Sequence, residues 1–218
     1  MPTVHAPEGT EEVLGAIATE RIVPVLTVSD AASAGPLGDA LKAGGLRCAE
    51  VTFRTEAAET ALHALAAEPD LLVGAGTVLS IDQVERAARA GARFVVSPGF
   101  DVDIVRRSRQ LGLAVLPGIA TATELQAALR EGVEVVKLFP AEPLGGVTMI
   151  RALAAAFGAT RFVPTGGITP DTLPAYLAEP AVLAAGASFI APPPLLAAGD
   201  FAEITQRAAR AAALARAS

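Results

Sequence analysis

The feature that most constrains the fold is a regular alternation of short apolar runs and longer alanine-rich segments along the chain. The short runs are rich in β-branched residues, as buried strands are, and the longer segments carry apolar residues at helical spacing. The predicted strands span residues 22–26, 49–53, 71–75, 94–97, 114–116, 135–138, 162–164 and 187–190. The predicted helices span residues 11–20, 30–43, 55–67, 81–90, 102–111, 123–130, 147–157, 171–178 and 201–216.

Strands that are each followed by a helix indicate a parallel sheet, because parallel neighbours need a long crossover. We therefore predict an α/β fold: a single (β/α)8 TIM barrel with an extra N-terminal helix, and a doubly wound open sheet is the alternative. The 218 residues lie near the lower length limit of about 200 for such a barrel. No linker divides the chain, so residues 1–218 are predicted to form one domain, with residues 1–10 as a flexible N-terminus.

Capping residues support these boundaries. Polar side chains stand where helix N-caps are expected, proline fits a first helical turn, and glycine follows several helices. The expected N-caps are Asp30, Ser80, Asp101, Thr121 and Thr169; Pro170 is the first-turn proline, and Gly91, Gly112 and Gly132 follow helices.

A lysine, Lys137, stands inside the apolar strand at residues 135–138. Lysine is rarely buried unless it is paired, so this residue needs an explanation. One interpretation is a structural salt bridge to a carboxylate from another strand. The other is an amine held in a dry pocket, where burial favours the neutral and nucleophilic form.

The second predicted strand places Glu50, Thr52 and Arg54 on one face, since side chains alternate along a strand. In a barrel this face would point inward. A self-satisfying Glu50–Arg54 pair is the structural alternative to a functional role, although buried ionic groups are costly.

In a barrel, chemistry gathers at the carboxyl ends of the strands. Phe139 alternates onto the face of Lys137, where its ring would exclude water. The turn at residues 165–167 runs from Thr165 into two glycines and a capped helix, which suits a phosphate or carboxylate. The other candidates at strand ends are Gly74, Gly76, Thr77, Ser97, Pro98, Gly99, Gly166, Gly167 and Ser188.

Composition excludes several functions. The net charge of −6 offers no basic surface for nucleic acid or an anionic membrane. Residues 181–199 lack charge, but their consecutive prolines make a membrane-spanning helix unfavourable. The two histidines, His5 and His63, lie near the terminus and in a predicted helix, so no histidine-based metal site is expected at the strand ends. The single cysteine, Cys48, and the absence of a signal-like segment at residues 1–10 are compatible with a cytoplasmic location.

Five stretches at or near the predicted strand ends stand out together. They are Glu-Val-Thr-Phe-Arg-Thr at residues 50–55, Gly-Ala-Gly-Thr-Val-Leu at 74–79, Ser-Pro-Gly at 97–99, Lys-Leu-Phe-Pro-Ala-Glu at 137–142 and Pro-Thr-Gly-Gly-Ile at 164–168. In this order along the chain they resemble the 2-keto-3-deoxy-6-phosphogluconate (KDPG) aldolase / 4-hydroxy-2-oxoglutarate (KHG) aldolase family, and the similarity extends over about residues 21–195.

The resemblance implies a cytoplasmic, homotrimeric lyase of the Entner–Doudoroff pathway that needs no cofactor. It implies that Lys137 is the Schiff-base residue and Glu50 the general acid/base. Arg54 and Thr77 would bind the substrate carboxylate, and Gly166, Gly167 and Ser188 the phosphate. Pro98, Phe139 and Thr165 would complete the substrate-binding residues.

The expected substrate is a 2-keto-3-deoxy sugar acid phosphate, cleaved to pyruvate and glyceraldehyde 3-phosphate. An unphosphorylated substrate, 4-hydroxy-2-oxoglutarate, and a catalytically silent scaffold are the alternatives. One departure from the family pattern is Ala187, which stands where a glycine is usual. Its methyl group is expected to narrow the phosphate pocket.

Overall fold

The computed structural model describes residues 9–217. Nearly all of the predicted flexible N-terminus, residues 1–10, therefore lies outside the described residues. The strands are β1 (Ile22–Leu26), β2 (Cys48–Thr52), β3 (Leu72–Gly76), β4 (Phe94–Val96), β5 (Ala114–Leu116), β6 (Gly118–Ile119), β7 (Val135–Leu138), β8 (Arg161–Pro164) and β9 (Ala185–Ala187). The helices are α1 (Thr10–Glu20), α2 (Ala34–Ala43), α3 (Ala58–Ala66), α4 (Ile81–Arg89), α5 (Val102–Gln110), α6 (Ala122–Arg130), α7 (Gly146–Ala156), α8 (Leu173–Leu177), α9 (Pro193–Ala198) and α10 (Phe201–Ala217).

All strand pairs are parallel, which confirms the α/β class. One sheet has the order β5-β4-β3-β2-β1-β9, and the other has the order β6-β7-β8. The predicted fifth strand, residues 114–116, is β5, and a short strand that was not predicted, β6, follows it and belongs to the other sheet. Pro117 lies between β5 and β6 and lacks an N–H group, so the ladder is interrupted at this residue. Isolated bridges, Phe162 to Val182 and Thr165 to Gly186, join the β8 side to the β9 side.

Most predicted caps are present. Asp30, Ser80, Asp101 and Thr121 each accept a backbone N–H bond at the start of a helix, and Thr121 forms a capping box with Glu124. Gly91, Gly112 and Gly132 all have positive φ. The start of α8 differs from the prediction by two residues, because the helix begins at Leu173 and Pro174 is the proline of its first turn. Thr169 still makes the bonds of a cap, since its hydroxyl accepts the Thr172 N–H at 3.3 Å and its carbonyl accepts the Leu173 N–H at 2.9 Å.

The last strand was also placed wrongly. It ends at Ala187, and the residues from Ser188 onward form a turn that leads to α9, which the sequence did not predict. Residues 181–191 are almost uniformly apolar, so the pattern carried no signal for this boundary. Within residues 9–217, no helix has the length and apolar character needed to span a membrane.

Side chains alternate between two apolar clusters. On β2, Ala49 and Val51 belong to the large cluster between strands and helices, whereas Cys48 belongs to a second cluster on the other side of the strands. This second cluster draws on both sheets and includes Val13 and Ile17 of α1. The opening helix therefore buries its apolar face against the inner side of the strands, so both sheets surround a shared core.

This inner core predicts an inert thiol. Cys48 is fully buried, and burial raises the pKa of its thiol well above the usual value. The thiol therefore stays protonated at pH 7 to 8, and the reactive thiolate is both scarce and inaccessible. We expect a thiol reagent to leave the native chain unmodified and to label it fully in denaturant. Rapid labelling of the native chain at the rate of a cysteine peptide would contradict this packing.

Candidate active site

Two buried ionisable side chains from different sheets are in contact. Lys137 extends from β7 and Glu50 from β2, and their Nζ and Oε1 atoms are 3.3 Å apart. Only 6% of the lysine side chain and 4% of the glutamate side chain are exposed. The sequence left open an ion pair between Glu50 and Arg54. The structure instead pairs Glu50 with Lys137.

An aromatic ring and a backbone bond complete the surroundings of the amine. Lys137 Nζ lies 5.2 Å from the centroid of the Phe139 ring, as the alternation along the strand predicted. The distance is within the range at which a cation and an aromatic ring attract each other. The backbone N–H of Lys137 donates to the Pro117 carbonyl at 2.9 Å. This bond ties β7 to the point where the two sheets divide.

The carboxylate of Glu50 depends on a glycine in the neighbouring strand. A Cβ atom at Gly76 would lie 2.1 Å from Glu50 Oε1, so any side chain at residue 76 would displace the carboxylate. Gly74 on the same strand makes room for the Phe94 ring, which a Cβ would approach to 2.3 Å. The glycine–alanine–glycine pattern thus serves the close approach of inward side chains from both neighbouring strands.

Thr52 and Arg54 differ in their surroundings although the sequence assigned them to one face. Thr52 is buried, and its hydroxyl bonds to the Leu26 carbonyl at 2.9 Å and to the Thr27 hydroxyl at 3.0 Å. Strand β2 ends at Thr52, so Arg54 is exposed in the turn that follows. Among the described carboxylates, none forms an ion pair with Arg54. Its guanidinium is therefore available to a ligand at the carboxyl end of β2.

Thr77 and Pro98 follow β3 and β4 at the same edge of the strands. Thr77 has a φ of 55°, in the left-handed region that a β-branched residue rarely adopts. Pro98 presses its carbonyl against β6, where a Cβ at Gly118 would lie 2.2 Å from the oxygen. The Ser97 hydroxyl donates to the Gly99 carbonyl at 2.7 Å, which closes this turn. Thr77 and Pro98 are both half-buried.

A second group of candidates lies after β8 and β9. Gly166 and Gly167 both have positive φ, 104° and 85°. Ser188 is exposed directly after β9, and within residues 9–217 the backbone N–H groups of Gly167 and Ser188 donate to no acceptor. The helix that was expected to add its dipole begins only at Leu173 and is one turn long. Any anion at this turn would therefore depend on these N–H groups rather than on a helix end.

Thr165 follows β8 and contacts Gly186 of β9. Its hydroxyl is buried without a hydrogen-bond partner, and a Cβ at Gly186 would lie 2.1 Å from this oxygen. An unpaired buried hydroxyl is costly, so a ligand that supplies a partner would be favoured. By contrast, Ala187 is fully buried in the cluster between strands and helices. Its methyl group packs in that cluster rather than on the side of the Gly186 and Thr165 contact, and its narrowing of the phosphate pocket stays a prediction.

Sequence reasoning missed Tyr176, which lies on α8 and is 1% exposed. Its hydroxyl donates to Glu142 Oε1 at 2.7 Å, and burial together with this carboxylate raises the pKa of the phenol. The only available signal was that Tyr176 is the single tyrosine of the chain. Nothing in the local pattern connects it with Glu142, because the two residues are 34 positions apart.

Comparisons with known proteins identify the family of this chain. A family model for KDPG and KHG aldolase matches residues 13–207. A 2-dehydro-3-deoxy-phosphogluconate aldolase from Treponema pallidum (strain Nichols) is 50% identical over 186 residues, which cover 85% of this chain and 89% of that protein.

Two crystal structures are also similar. The KDPG aldolase of Zymomonas mobilis ZM4 with 3-phosphoglycerate superimposes with a TM-score of 0.88 at 39% identity, covering 94% of this chain and 97% of the other. The enzyme from Legionella pneumophila, with pyruvate captured as a covalent carbinolamine intermediate, gives a TM-score of 0.87 at 35% identity, covering 90% and 96%. The chain described here belongs to the KDPG and KHG aldolase family.

Proposed function

We propose that the protein is a Schiff-base aldolase that cleaves 2-dehydro-3-deoxy-6-phosphogluconate to pyruvate and glyceraldehyde 3-phosphate. The observation that carries the proposal is the buried contact of 3.3 Å between Lys137 Nζ and Glu50 Oε1. An amine beside a single buried carboxylate can pass its proton to that carboxylate and become nucleophilic, because the transfer removes two charges from an apolar site.

The reaction then uses the protonated imine formed by this amine as an electron sink. Neutral Lys137 attacks the C2 ketone, and loss of water from the carbinolamine gives a protonated imine. The C3–C4 bond breaks as the C4 hydroxyl loses its proton, and the bonding electrons flow to the imine nitrogen. Glyceraldehyde 3-phosphate leaves, and the remaining enamine takes a proton at C3. Hydrolysis of the resulting imine releases pyruvate and restores the amine.

Glu50 is assigned the proton transfers. Its carboxylate touches the amine, so it can take the ammonium proton, assist loss of water and accept the proton of the C4 hydroxyl. Phe139 lies against the same nitrogen and favours the cationic imine over the neutral carbinolamine. The chemistry needs only the chain's own groups, and we propose that no cofactor takes part.

The two ends of the substrate are assigned to the turns around this pair. Arg54 is exposed and without an ion-pair partner among the described residues, and its planar guanidinium suits the substrate carboxylate. Thr77 and Pro98 border the same edge. The phosphate is assigned to the N–H groups around Gly166, Gly167 and Ser188, and Thr165 offers its unpaired hydroxyl between the two ends.

We also propose that the two sheets close into one (β/α)8 barrel that makes residues 1–218 a single domain. The shared inner cluster and the bridge from Thr165 to Gly186 support closure. Assembly into a homotrimer and a cytoplasmic location are proposed from the family resemblance alone. Exposed apolar side chains at Leu79 and Ile81 are compatible with a subunit contact, and sedimentation equilibrium would give the subunit number.

A second candidate is cleavage of 4-hydroxy-2-oxoglutarate to pyruvate and glyoxylate, since the matching family model covers both activities. The same Lys137 and Glu50 would serve either substrate. The values of kcat/KM for the two substrates distinguish the candidates. A catalytically silent scaffold would cleave neither.

The Schiff base gives a direct test because the chain has only two lysines, Lys42 and Lys137. Borohydride reduction in the presence of pyruvate is expected to add one pyruvate-derived group, and peptide mass analysis should find it on Lys137. The matched control is Lys42→Arg, since Lys42 lies on the surface in ion pairs with Glu68 and Asp39. That variant should form the adduct, whereas Lys137→Arg should form none. An adduct on Lys42 instead of Lys137 would contradict the mechanism.

The role of Glu50 is tested by Glu50→Gln, which keeps the shape of the side chain but cannot carry the proton. We expect the variant to fold and to lose about 10² to 10⁴ in kcat, the usual contribution of a general acid/base. Stopped-flow and steady-state kinetics with both substrates would measure the loss. Turnover close to that of the unmodified enzyme would remove Glu50 from this role.

A steric variant tests the same carboxylate by displacement. Gly76→Ala adds a methyl group at 2.1 Å from Glu50 Oε1, so the carboxylate must move. We therefore expect kcat to fall, as it does in Glu50→Gln. Gly35→Ala is the control, because a Cβ there meets no atom within 4 Å. It should retain full activity. Equal activity of the two glycine variants would show that the observed position of Glu50 is not required.

A further inference from the structure

The turn at Gly166 and Gly167 rests on a segment that follows the reactive lysine. The Glu142 N–H donates to the Gly166 carbonyl at 3.0 Å, and the Ala141 N–H donates to the Thr165 carbonyl at 2.8 Å. A Cβ at Gly167 would lie 2.6 Å from Glu142 Cβ. The stem of Glu142 thus packs directly against the turn, in addition to the backbone bond. The position of Glu142 therefore determines the positions of Gly166 and Gly167.

Glu142 is in turn fixed by a single side chain. Its Oε1 accepts the Tyr176 hydroxyl at 2.7 Å, although the residue as a whole is exposed. Tyr176 itself is buried, and a Cβ at Gly146 would lie 2.7 Å from its hydroxyl oxygen. The phenol oxygen is therefore held in a slot between Gly146 and Glu142. A buried, laterally confined donor can hold an otherwise mobile glutamate in one rotamer.

We propose that Tyr176, acting through Glu142, is the positioning residue that keeps the Gly166–Gly167 turn in its phosphate-binding shape. This inference rests on the proposed function, because it concerns how that site distinguishes phosphorylated from unphosphorylated substrates. Neither Tyr176 nor Glu142 touches the reacting atoms in this assignment. The chemistry at Lys137 belongs to β7, which ends before this segment begins.

The link predicts a specific kinetic effect. Tyr176→Phe removes the hydroxyl but keeps the ring that fills the core, so Glu142 is released and the turn loses its support. We expect KM for 2-dehydro-3-deoxy-6-phosphogluconate to rise about tenfold, a change of roughly 1.4 kcal/mol. The kcat for that substrate and both constants for 4-hydroxy-2-oxoglutarate should stay within about twofold of the unmodified enzyme. A purely structural residue would not divide the two substrates.

Variants at Glu142 test whether Tyr176 acts on the turn through this residue. Glu142→Gln keeps an amide oxygen that can accept from Tyr176 and keeps the backbone bond, so its KM should resemble that of the unmodified enzyme. Glu142→Ala should raise KM as Tyr176→Phe does. The double variant should be no worse than either single one, since both remove one interaction. Thr19→Ala is the control, because it also loses one hydroxyl bond, in α1, without contact to the turn.

The outcomes separate this inference from the proposed function. If the unmodified enzyme does not prefer the phosphorylated substrate, the assignment of the phosphate site is wrong, whatever the variants do. If it does prefer that substrate but Tyr176→Phe leaves KM unchanged, or raises KM equally for both substrates, the positioning role is overturned. Additive effects in the double variant would also overturn it, because Tyr176 would then act independently of Glu142.

Discussion

The buried contact between Lys137 and Glu50 is the constraint on which the rest of the site depends. Removing each of these ions from water costs several kcal/mol, and only good geometry with the partner offsets the cost. The two residues come from different sheets, so the contact requires β2 and β7 to face each other across the inner core. A fold that spread the two sheets apart would leave two isolated buried charges. The contact between Lys137 and Glu50 therefore requires this arrangement of the strands.

Glycines in the strands make this crowded interior possible. Each of four of them faces a bulkier group on a neighbouring element, at a distance that excludes a Cβ atom. The pairs are Gly74 with the Phe94 ring, Gly76 with the Glu50 carboxylate, Gly118 with the Pro98 carbonyl and Gly186 with the Thr165 side chain. Glycine weakens a strand, so its presence at these positions reflects space rather than propensity. In this interior, each bulky inward group occupies the space that a side chain on the neighbouring element would otherwise fill.

The alternation of apolar runs and alanine-rich segments was enough to predict the α/β class, and β1, β5 and β7 have the predicted bounds. β1 lies between Arg21 and Thr27, β5 is followed by Pro117 and β7 is preceded by Glu134, and these residues mark the ends that the sequence could define. The end of β9 was not predictable, because the apolar run continues through the turn at Ser188. The pairing of β6 with β7 rather than with β4, and the orientation of Ala187, depend on sheet pairing and register, which a single sequence does not specify. Lys137 and Glu50 were recognisable because charge is rare within apolar strands. Tyr176 was not, since a buried tyrosine on a short helix is ordinary until its partner is known.

The position of each group along its strand explains how one scaffold can serve more than one substrate. Lys137 and Glu50 lie within β7 and β2, where the ladder holds the backbone on both sides. The groups assigned to the two ends of the substrate lie beyond the strands, in turns where the backbone adopts sparsely populated conformations, as at Thr77 and Gly166. Changes in these turns alter what is bound without disturbing the proton exchange between amine and carboxylate. Specificity can therefore vary while the pair to which we assign the bond cleavage stays in place.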